Sequence, residues 1–260
     1  MLDKDWNFEK HYDILFIMPT TDGLYYLAIG AASVTGLVLI WPRIQPYFEY
    51  ISLRLIQKRY NVLIDKRKTI LFNTFKELPL NSDKERNILE LGIGAGANLD
   101  FYPSDEDFSL IGSDLHAYGE NVIKKKCNEN GIKFHSYVKL NAEDLHALKS
   151  ESVSGVVATL IMCSVPNIDK ALSEIKRVLV PGGKYYFIDH VREEESNFRN
   201  ALQILVHPVQ RILGFCNNRR RIHNNIQNAG FSRVDLERFI LSNNILFAPM
   251  AAHIMGTATK

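Results

Sequence analysis

Cysteine is scarce: Cys127, Cys163 and Cys216 are the only three in 260 residues. Three cannot all pair, and no spacing among them matches a zinc motif, so a disulfide framework is excluded and a reducing compartment is expected. Net charge is nearly absent as well. The 31 basic side chains against 29 acidic ones leave +2, too weak a field to gather phosphate backbones, so nucleic acid is not an expected partner and small or apolar molecules fit better. Repeats and low-complexity linkers are missing, and no metal-ligand cluster can be read along the chain. What is present is enough apolar content, 46%, to bury one full α/β core with length left over for an appendage.

The surplus length sits at the front, where Leu24 to Trp41 carries no charge. As a helix this run would be about 27 Å long against a hydrocarbon core of about 30 Å. Gly30, Ser33, Thr35 and Gly36 lower its hydrophobicity, so an anchor lying in one leaflet competes with a true span. A cleaved signal peptide is disfavoured, because residues 1–23 hold only Lys4 and Lys10 against Asp3, Asp5, Glu9, Asp13 and Asp22. The alternative is a core helix of a soluble domain. Behind the run come Arg43, Arg54, Lys58, Arg59, Lys66, Arg67 and Lys68 against Glu49 and Asp65, an imbalance that holds the following domain in the cytosol. The expected organisation is a membrane anchor over 1–44, an amphipathic helical lead-in over 45–86 with Ile51, Leu55 and Ile56 on one side, and a catalytic domain over 87–260.

The most informative segment is residues 87–96, Asn-Ile-Leu-Glu-Leu-Gly-Ile-Gly-Ala-Gly. Ile88, Leu89 and Leu91 suit a buried parallel strand, and Gly92, Gly94 and Gly96 allow a tight turn with no Cβ in a ligand's way. Gly92, Gly94 and Ala97 also satisfy the looser glycine pattern of nicotinamide enzymes, so the turn alone leaves both readings open. A second strand, Ser109 to Asp114, ends in an acid 24 residues beyond Glu90, where a carboxylate can accept both ribose hydroxyls of an adenosine. A third strand over 133–140 leads to Asn141-Ala-Glu-Asp144, and the Asn141 oxygen can accept from an adenine amino group. Strands at 154–161 and 184–190, with a helix over 166–179 between them and Pro181-Gly182-Gly183 as the turn, complete an alternation that demands a parallel sheet.

Read in register, Glu90-Leu-Gly-Ile-Gly-Ala-Gly96, Asp114, Asn141-Ala-Glu143 and Arg177-Val-Leu-Val-Pro-Gly-Gly183 make the chain resemble the class I S-adenosylmethionine-dependent methyltransferases. Within that superfamily it is similar to the small membrane-anchored thiol S-methyltransferases of the methyltransferase-like group. That likeness rests on the apolar N-terminus, Gly96-Ala-Asn98 with Phe101-Tyr-Pro103, Glu143-Asp144, Thr159-Leu-Ile-Met-Cys-Ser-Val165, Asp189-His-Val191, Gly214-Phe-Cys-Asn217 and His253-Ile-Met-Gly256. The resemblance implies a Rossmann-like α/β fold, with a seven-stranded, mostly parallel sheet whose last strand is antiparallel and helices on both faces. It implies S-adenosylmethionine as cofactor, held by Glu90, Gly92, Gly94, Gly96, Asp114, Leu115, Asn141, Ala142, Glu143 and Thr159. It further implies small lipophilic acceptors, above all alkyl thiols, and residence on endoplasmic reticulum membrane or lipid droplets with the catalytic domain facing cytosol.

A methyl sulfonium is already electrophilic, so the protein's main task is alignment of the acceptor and exclusion of water, which can contribute roughly 7–11 kcal/mol. A thiol with a pKa near 8.5 needs little base strength and no metal. The acceptor should lie over the carboxyl ends of the fourth and fifth strands, near Cys163, Ser164, Asp189 and His190. Asp189 or His190 can orient a thiol or take its proton, although an Asp-His pair at a strand end also serves as a cap and hydrogen-bond hub. Cys163 is a further catalytic candidate, although it reads as a small apolar packing residue ahead of a nucleophile, because buried cysteines are usually inert. Residues 191–230 read either as a lid with an apolar inner wall or as an ordinary sheet-covering helix, with Cys216 near the substrate and Arg219-Arg-Arg221 on a solvated face or against lipid headgroups. His253 reads as structural. Competing activities are methyl transfer to quinone- or sterol-like lipids or to arsenite. A non-catalytic scaffold at a membrane or lipid droplet is the non-enzymatic alternative.

Overall fold

The run Ile88-Leu89-Glu90-Leu91 forms the central strand β1 (Arg86–Leu91) because its alternate side chains serve two different cores. Ile88 packs into an apolar cluster on one face of the sheet, and Leu89 and Leu91 into a second cluster on the other. A strand covered on both faces reads as near-continuous hydrophobic sequence, and this one does. The computed structural model describes residues 39–40, 43–44, 62–82, 84–104, 108–115, 119–212, 216–242 and 245–260.

Seven strands pair in one sheet: β1, β2 (Phe108–Asp114), β3 (Phe134–Lys139), β4 (Val153–Thr159), β5 (Leu179–His190), β6 (Arg233–Ile240) and β7 (Ala252–Thr259). Their spatial order is β3-β2-β1-β4-β5-β7-β6, with the first five parallel and β7 antiparallel to both neighbours. The order reverses between β1 and β4, which opens a crevice beyond the carboxyl ends of those strands. The seven-stranded architecture expected from sequence is therefore present.

Helical residues 62–72 (α1) and α2 (Glu120–Glu129) cover one face, through Leu71, Phe72, Ile123 and Cys127. On the other lie α3 (Ile168–Val178) and α5 (Ile222–Asn228), through Leu172, Ile175, Ile222 and Ile226. Helix α3 starts where the Asn167 side chain accepts the Lys170 amide, and buries Ile168, Ala171, Leu172, Ile175 and Val178 at helical spacing. Those burials contribute on the order of 1.5–3 kcal/mol for each large aliphatic side chain. The helix stops because Leu179 is already extended and pairs as the first residue of β5.

Four local expectations change. Strand β4 ends at Thr159 rather than 161, because Leu160 takes a left-handed backbone with φ 60°. The Pro181-Gly-Gly183 turn lies inside β5 instead of before it: Val153 pairs with Leu179, Gly155 with Lys184, and the residues between bulge out. Residues 62–78 are not a separate lead-in to the domain, since Ile64, Leu71, Phe72, Phe75 and Leu78 are buried and four of them join the sheet's own core. Segment 191–230 yields α4 (Asn197–Ile212), which packs along the 3₁₀ turn Ile245–Met250 and not over the sheet. It is fastened by a polar side chain: buried Gln203 accepts the Glu193 amide and donates to the carbonyls of Val191 and Asn218. Phe198, Leu205 and Val209 face outward, Leu205 with 73% of its surface exposed, so within this segment α5 covers the sheet and α4 does not.

The chain divides into two units, Met1–Tyr50 and Ile51–Lys260. Apart from Leu39 and Ile40, the apolar stretch 24–41 lies outside the described residues. Among the described residues no helix is long and apolar enough to cross a membrane.

Candidate active site

The glycine turn leaves β1 with Gly92, Gly94 and Gly96 at φ 65°, 50° and 75°, a backbone that side chains other than glycine's strain to adopt. Their surroundings differ. A Cβ on Gly96 would collide with Leu99 and Ile123 of the core at 2.6 and 2.9 Å, so that glycine serves packing. A Cβ on Gly94 would meet nothing nearer than the Gly92 carbonyl at 3.9 Å, so the space above it is open. Asp114, at the end of β2, accepts the Gly94 amide at 3.0 Å and so fixes the turn from across the crevice. Leu115 beyond it is 55% exposed, an apolar surface beside the carboxylate.

Glu90 is buried beneath the turn, where it accepts from Asn98 Nδ2 and from the Tyr102 hydroxyl, both at 2.8 Å. Asn98 also donates to Thr159 Oγ1 at 2.9 Å, which ties β1 to the end of β4. Tyr102 is stacked on Phe72 and Phe75, so residues 62–78 brace the site through aromatic contact. Lys68, buried on α1, donates to the Ala97 carbonyl inside the turn. Burial pulls this lysine down to about 8, with Glu90 opposing the shift. Asn98 Oδ1 is buried and has no donor among the described residues, a place for one supplied by a ligand or water. Asn98 and Tyr102 fall within motifs that carry the family likeness but have no site role in the sequence reading, and Lys68 enters there only as one of the basic residues behind the apolar run. The only signal for Lys68 is a lone cation at a helical position otherwise taken by Ile64, Leu71 and Phe72.

Burial raises Glu90 to about 7, against the opposing hydrogen bonds from Tyr102 and Asn98. A carboxyl raised in the folded state binds its proton more tightly there than in the unfolded chain, so stability falls as pH climbs from about 4.5 to about 7. Glu90→Gln keeps an acceptor for Asn98 and cannot titrate. Its unfolding free energy should therefore gain about 3 kcal/mol on the wild type between pH 4.5 and 7.5. Urea unfolding at a series of pH values measures this, and parallel curves would refute the assignment.

At the end of β3 the expected adenine contacts are largely committed to the protein itself. Asn141 Oδ1 accepts the Glu143 amide at 3.0 Å, and Glu143 accepts the Asn167 amide at 2.8 Å. The Asn141 oxygen thus shapes its own turn, in which Ala142 is half-buried against the core.

The carboxyl ends of β4 and β5 carry a second buried group. Both Asp189 oxygens are taken by backbone amides, Met162 at 2.8 Å and Cys163 at 3.1 Å. Asp189 thereby holds the 160–165 loop, and burial raises its carboxyl to about 6. These contacts give Asp189 a positioning role on the loop beside the acceptor role expected from sequence. His190 Nδ1 lies 3.8 Å from Cys163 Sγ and 3.5 Å from Cys216 Sγ. The hydrogen bond from Cys163 and the neighbouring imidazole pull the Cys216 thiol down, and that hydrogen bond together with burial pushes Cys163 up. Burial alone would lower His190, but Cys216 and Asp189 outweigh it and raise it. His253, opposite His190 in β7 with ring centroids 4.6 Å apart, is held well below the usual range by burial and packs against the His190 ring. Arg220 does not lie on a solvated helix face: it precedes α5 and donates to the carbonyls of Met162, Val165 and Pro166, a second brace for the same loop.

Comparison with known proteins agrees with this geometry. Residues 89–187 match the family described as a methyltransferase domain. Over 247 residues the chain is 32% identical to thiol S-methyltransferase TMT1B of Homo sapiens, covering 94% of this chain and 99% of that one. With thiol S-methyltransferase TMT1A of the same organism it shares 32% identity over 202 residues, 77% of this chain and 81% of the other. Among solved structures, phosphoethanolamine N-methyltransferase 2 of Haemonchus contortus, in complex with S-adenosyl-L-methionine, superposes with a TM-score of 0.55 at 13% identity, covering 78% of this chain and 56% of that one. At that identity the likeness concerns the fold.

Proposed function

This chain belongs to the family of thiol S-methyltransferases, and from that premise we propose that it transfers the methyl group of S-adenosylmethionine to the sulfur of small lipophilic alkyl thiols. The observation that carries the reading is the placement, at the carboxyl ends of neighbouring strands, of an open glycine turn facing a carboxylate and of a buried group of two sulfurs and an imidazole. The cofactor supplies a methyl sulfonium, and the protein has to bind, orient and keep water out. Asp114 takes the ribose hydroxyls, and Leu115 lies against the adenine face. Gly94 gives room for the adenosyl group, and the turn around Ala142 borders the adenine edge. Glu90 acts through Asn98, whose buried Oδ1 and whose link to Thr159 face the amino-acid portion. His190, with Cys163 and Cys216 beside it, receives the acceptor thiol.

The charge-free stretch 24–41 and the basic residues behind it support attachment to the endoplasmic reticulum membrane or to lipid droplets, with the catalytic unit in the cytosol. The outward Phe198, Leu205 and Val209 of α4 add an apolar surface suited to acceptors that partition into lipid. Microsomes from cells expressing the full chain, supplied with labelled cofactor and a panel of hydrophobic thiols, should form labelled thioethers. The activity should stay in the pellet after a carbonate wash and move to the supernatant when residues 1–44 are deleted. No methyl transfer to any thiol would end the substrate reading. Activity released by carbonate from the full chain would end the membrane reading.

A further inference from the structure

We propose that Cys163, His190 and Cys216 form a three-ligand site for a thiophilic divalent cation of the zinc class, whose open fourth position takes the acceptor thiol. Three separate segments deliver the ligands: the loop after β4, the last residue of β5, and the stretch between α4 and α5. Their donor atoms all lie within 4.8 Å of one another. A tetrahedral zinc with bonds of about 2.3 Å to sulfur and about 2.0 Å to nitrogen sets each sulfur about 3.5 Å from the nitrogen. The observed separations from His190 Nδ1, 3.8 and 3.5 Å, lie close to that edge, so the ligands need little movement to close on a metal.

The surroundings suit the assignment. Two cysteines and a histidine are a soft donor set, and zinc sites with three protein ligands keep a fourth position for substrate. Asp189 does not fill it, because its oxygens hold the amides of Met162 and Cys163. That carboxylate instead fixes the backbone that carries one ligand, as an outer-shell partner does. The Asn217 amide donates to the Cys163 carbonyl at 2.9 Å, which locks the two cysteine-bearing segments together. Cys163 and His190 are buried and Cys216 is half-buried, so the open side is reached past Cys216.

The role at this site rests on the thiol-methyltransferase reading. An acceptor RSH entering the fourth position loses its proton to solvent and binds as thiolate. Its sulfur then forms the new bond to the methyl carbon as the sulfonium carbon–sulfur bond breaks, the electron pair of that bond remaining on the cofactor sulfur. The product RSCH3 is a neutral thioether, a weaker ligand than a thiolate, so it leaves and reopens the position.

The test uses the full chain in detergent, stripped of metal by a chelator under a non-thiol reductant and titrated with cobalt(II). One equivalent should bind, with thiolate-to-cobalt charge-transfer absorption in the near ultraviolet and the visible bands of tetrahedral cobalt, and zinc should displace it. Cys163→Ser with Cys216→Ser should lose the charge-transfer band while binding demethylated cofactor as before; Cys216→Ser alone, at the half-buried ligand, should roughly halve it. Adding an alkyl thiol to the cobalt form should shift the visible bands. A titration without charge-transfer absorption, or one in which the band survives the double substitution, overturns the site. Bands that ignore added thiol, or metal-free protein that methylates thiols at the metal-loaded rate, overturn the role. Cobalt bands that respond to thiol, in protein that methylates no thiol, would instead overturn the activity proposed above and leave the site standing.

Discussion

Gly94→Arg should give a folded protein that no longer binds S-adenosylmethionine, with affinity reduced at least about a hundredfold, or about 3 kcal/mol. The expectation comes from comparing what the position means for the fold with what it means for the ligand. A side chain on Gly94 meets no core atom, the nearest neighbour of a Cβ being the Gly92 carbonyl at 3.9 Å, so the structural penalty is confined to a left-handed backbone at φ 50°, about 1–2 kcal/mol. A domain of this size tolerates that loss. The ligand does not, since the guanidinium and its stem fill the space an adenosyl group would use and leave a cation beside Asp114 to compete for its oxygens. Calorimetric titration with the demethylated cofactor, alongside a thermal melt, reads both quantities. Wild-type affinity in the folded variant would remove the glycine turn from the cofactor site. Asp114→Ala provides the complementary measurement. It vacates the crevice instead of filling it, and it too should weaken binding because the Gly94 amide loses its acceptor and the ribose loses its carboxylate.

How far the sequence carries depends on whether a signal is local. The glycine turn, the acid ending β2 and the alternation of strands and helices are written in consecutive residues, through period and punctuation, and the five parallel strands they require are present, beside the two further strands that the family resemblance implies. The network that makes the turn rigid is not local. Glu90 meets Asn98 and Tyr102, Asn98 meets Thr159, and Lys68 reaches Ala97 across 29 residues; no spacing rule encodes such partners. The same holds for Cys163, His190 and Cys216. Their separations along the chain match no zinc motif, and only the meeting of β4, β5 and the stretch after α4 brings them within 4.8 Å. Segment 191–230 leaves a lid and a sheet-covering helix both open in sequence because its apolar residues suit either; α5 covers the sheet, whereas α4 hangs on Gln203 and turns several apolar side chains outward.

Asp189→Ala should lower stability by about 3–5 kcal/mol and methyl transfer by more than about a hundredfold. The carboxylate is fully buried and serves two amides that have no other route to a partner once it is gone. Each orphaned N–H costs about 1–3 kcal/mol, and a water entering the vacated volume offsets part of that. The loop that carries Cys163 is released, so the acceptor loses its alignment, while the distant Gly94 and Asp114 keep cofactor affinity within a few fold. Asp189→Asn separates the two roles this residue could have. The amide has nearly the same shape and one oxygen for one of the two N–H groups, so it should recover most of the stability and bring the rate to within about tenfold of wild type. Loss of a general base would remove about a hundred- to ten-thousandfold regardless of which of the two replacements is made. Denaturant unfolding and single-turnover kinetics on both variants distinguish these outcomes. If asparagine is as inactive as alanine while remaining as stable as wild type, Asp189 moves a proton; if activity follows stability through the pair, it holds the loop in place and the acceptor's proton leaves by another path.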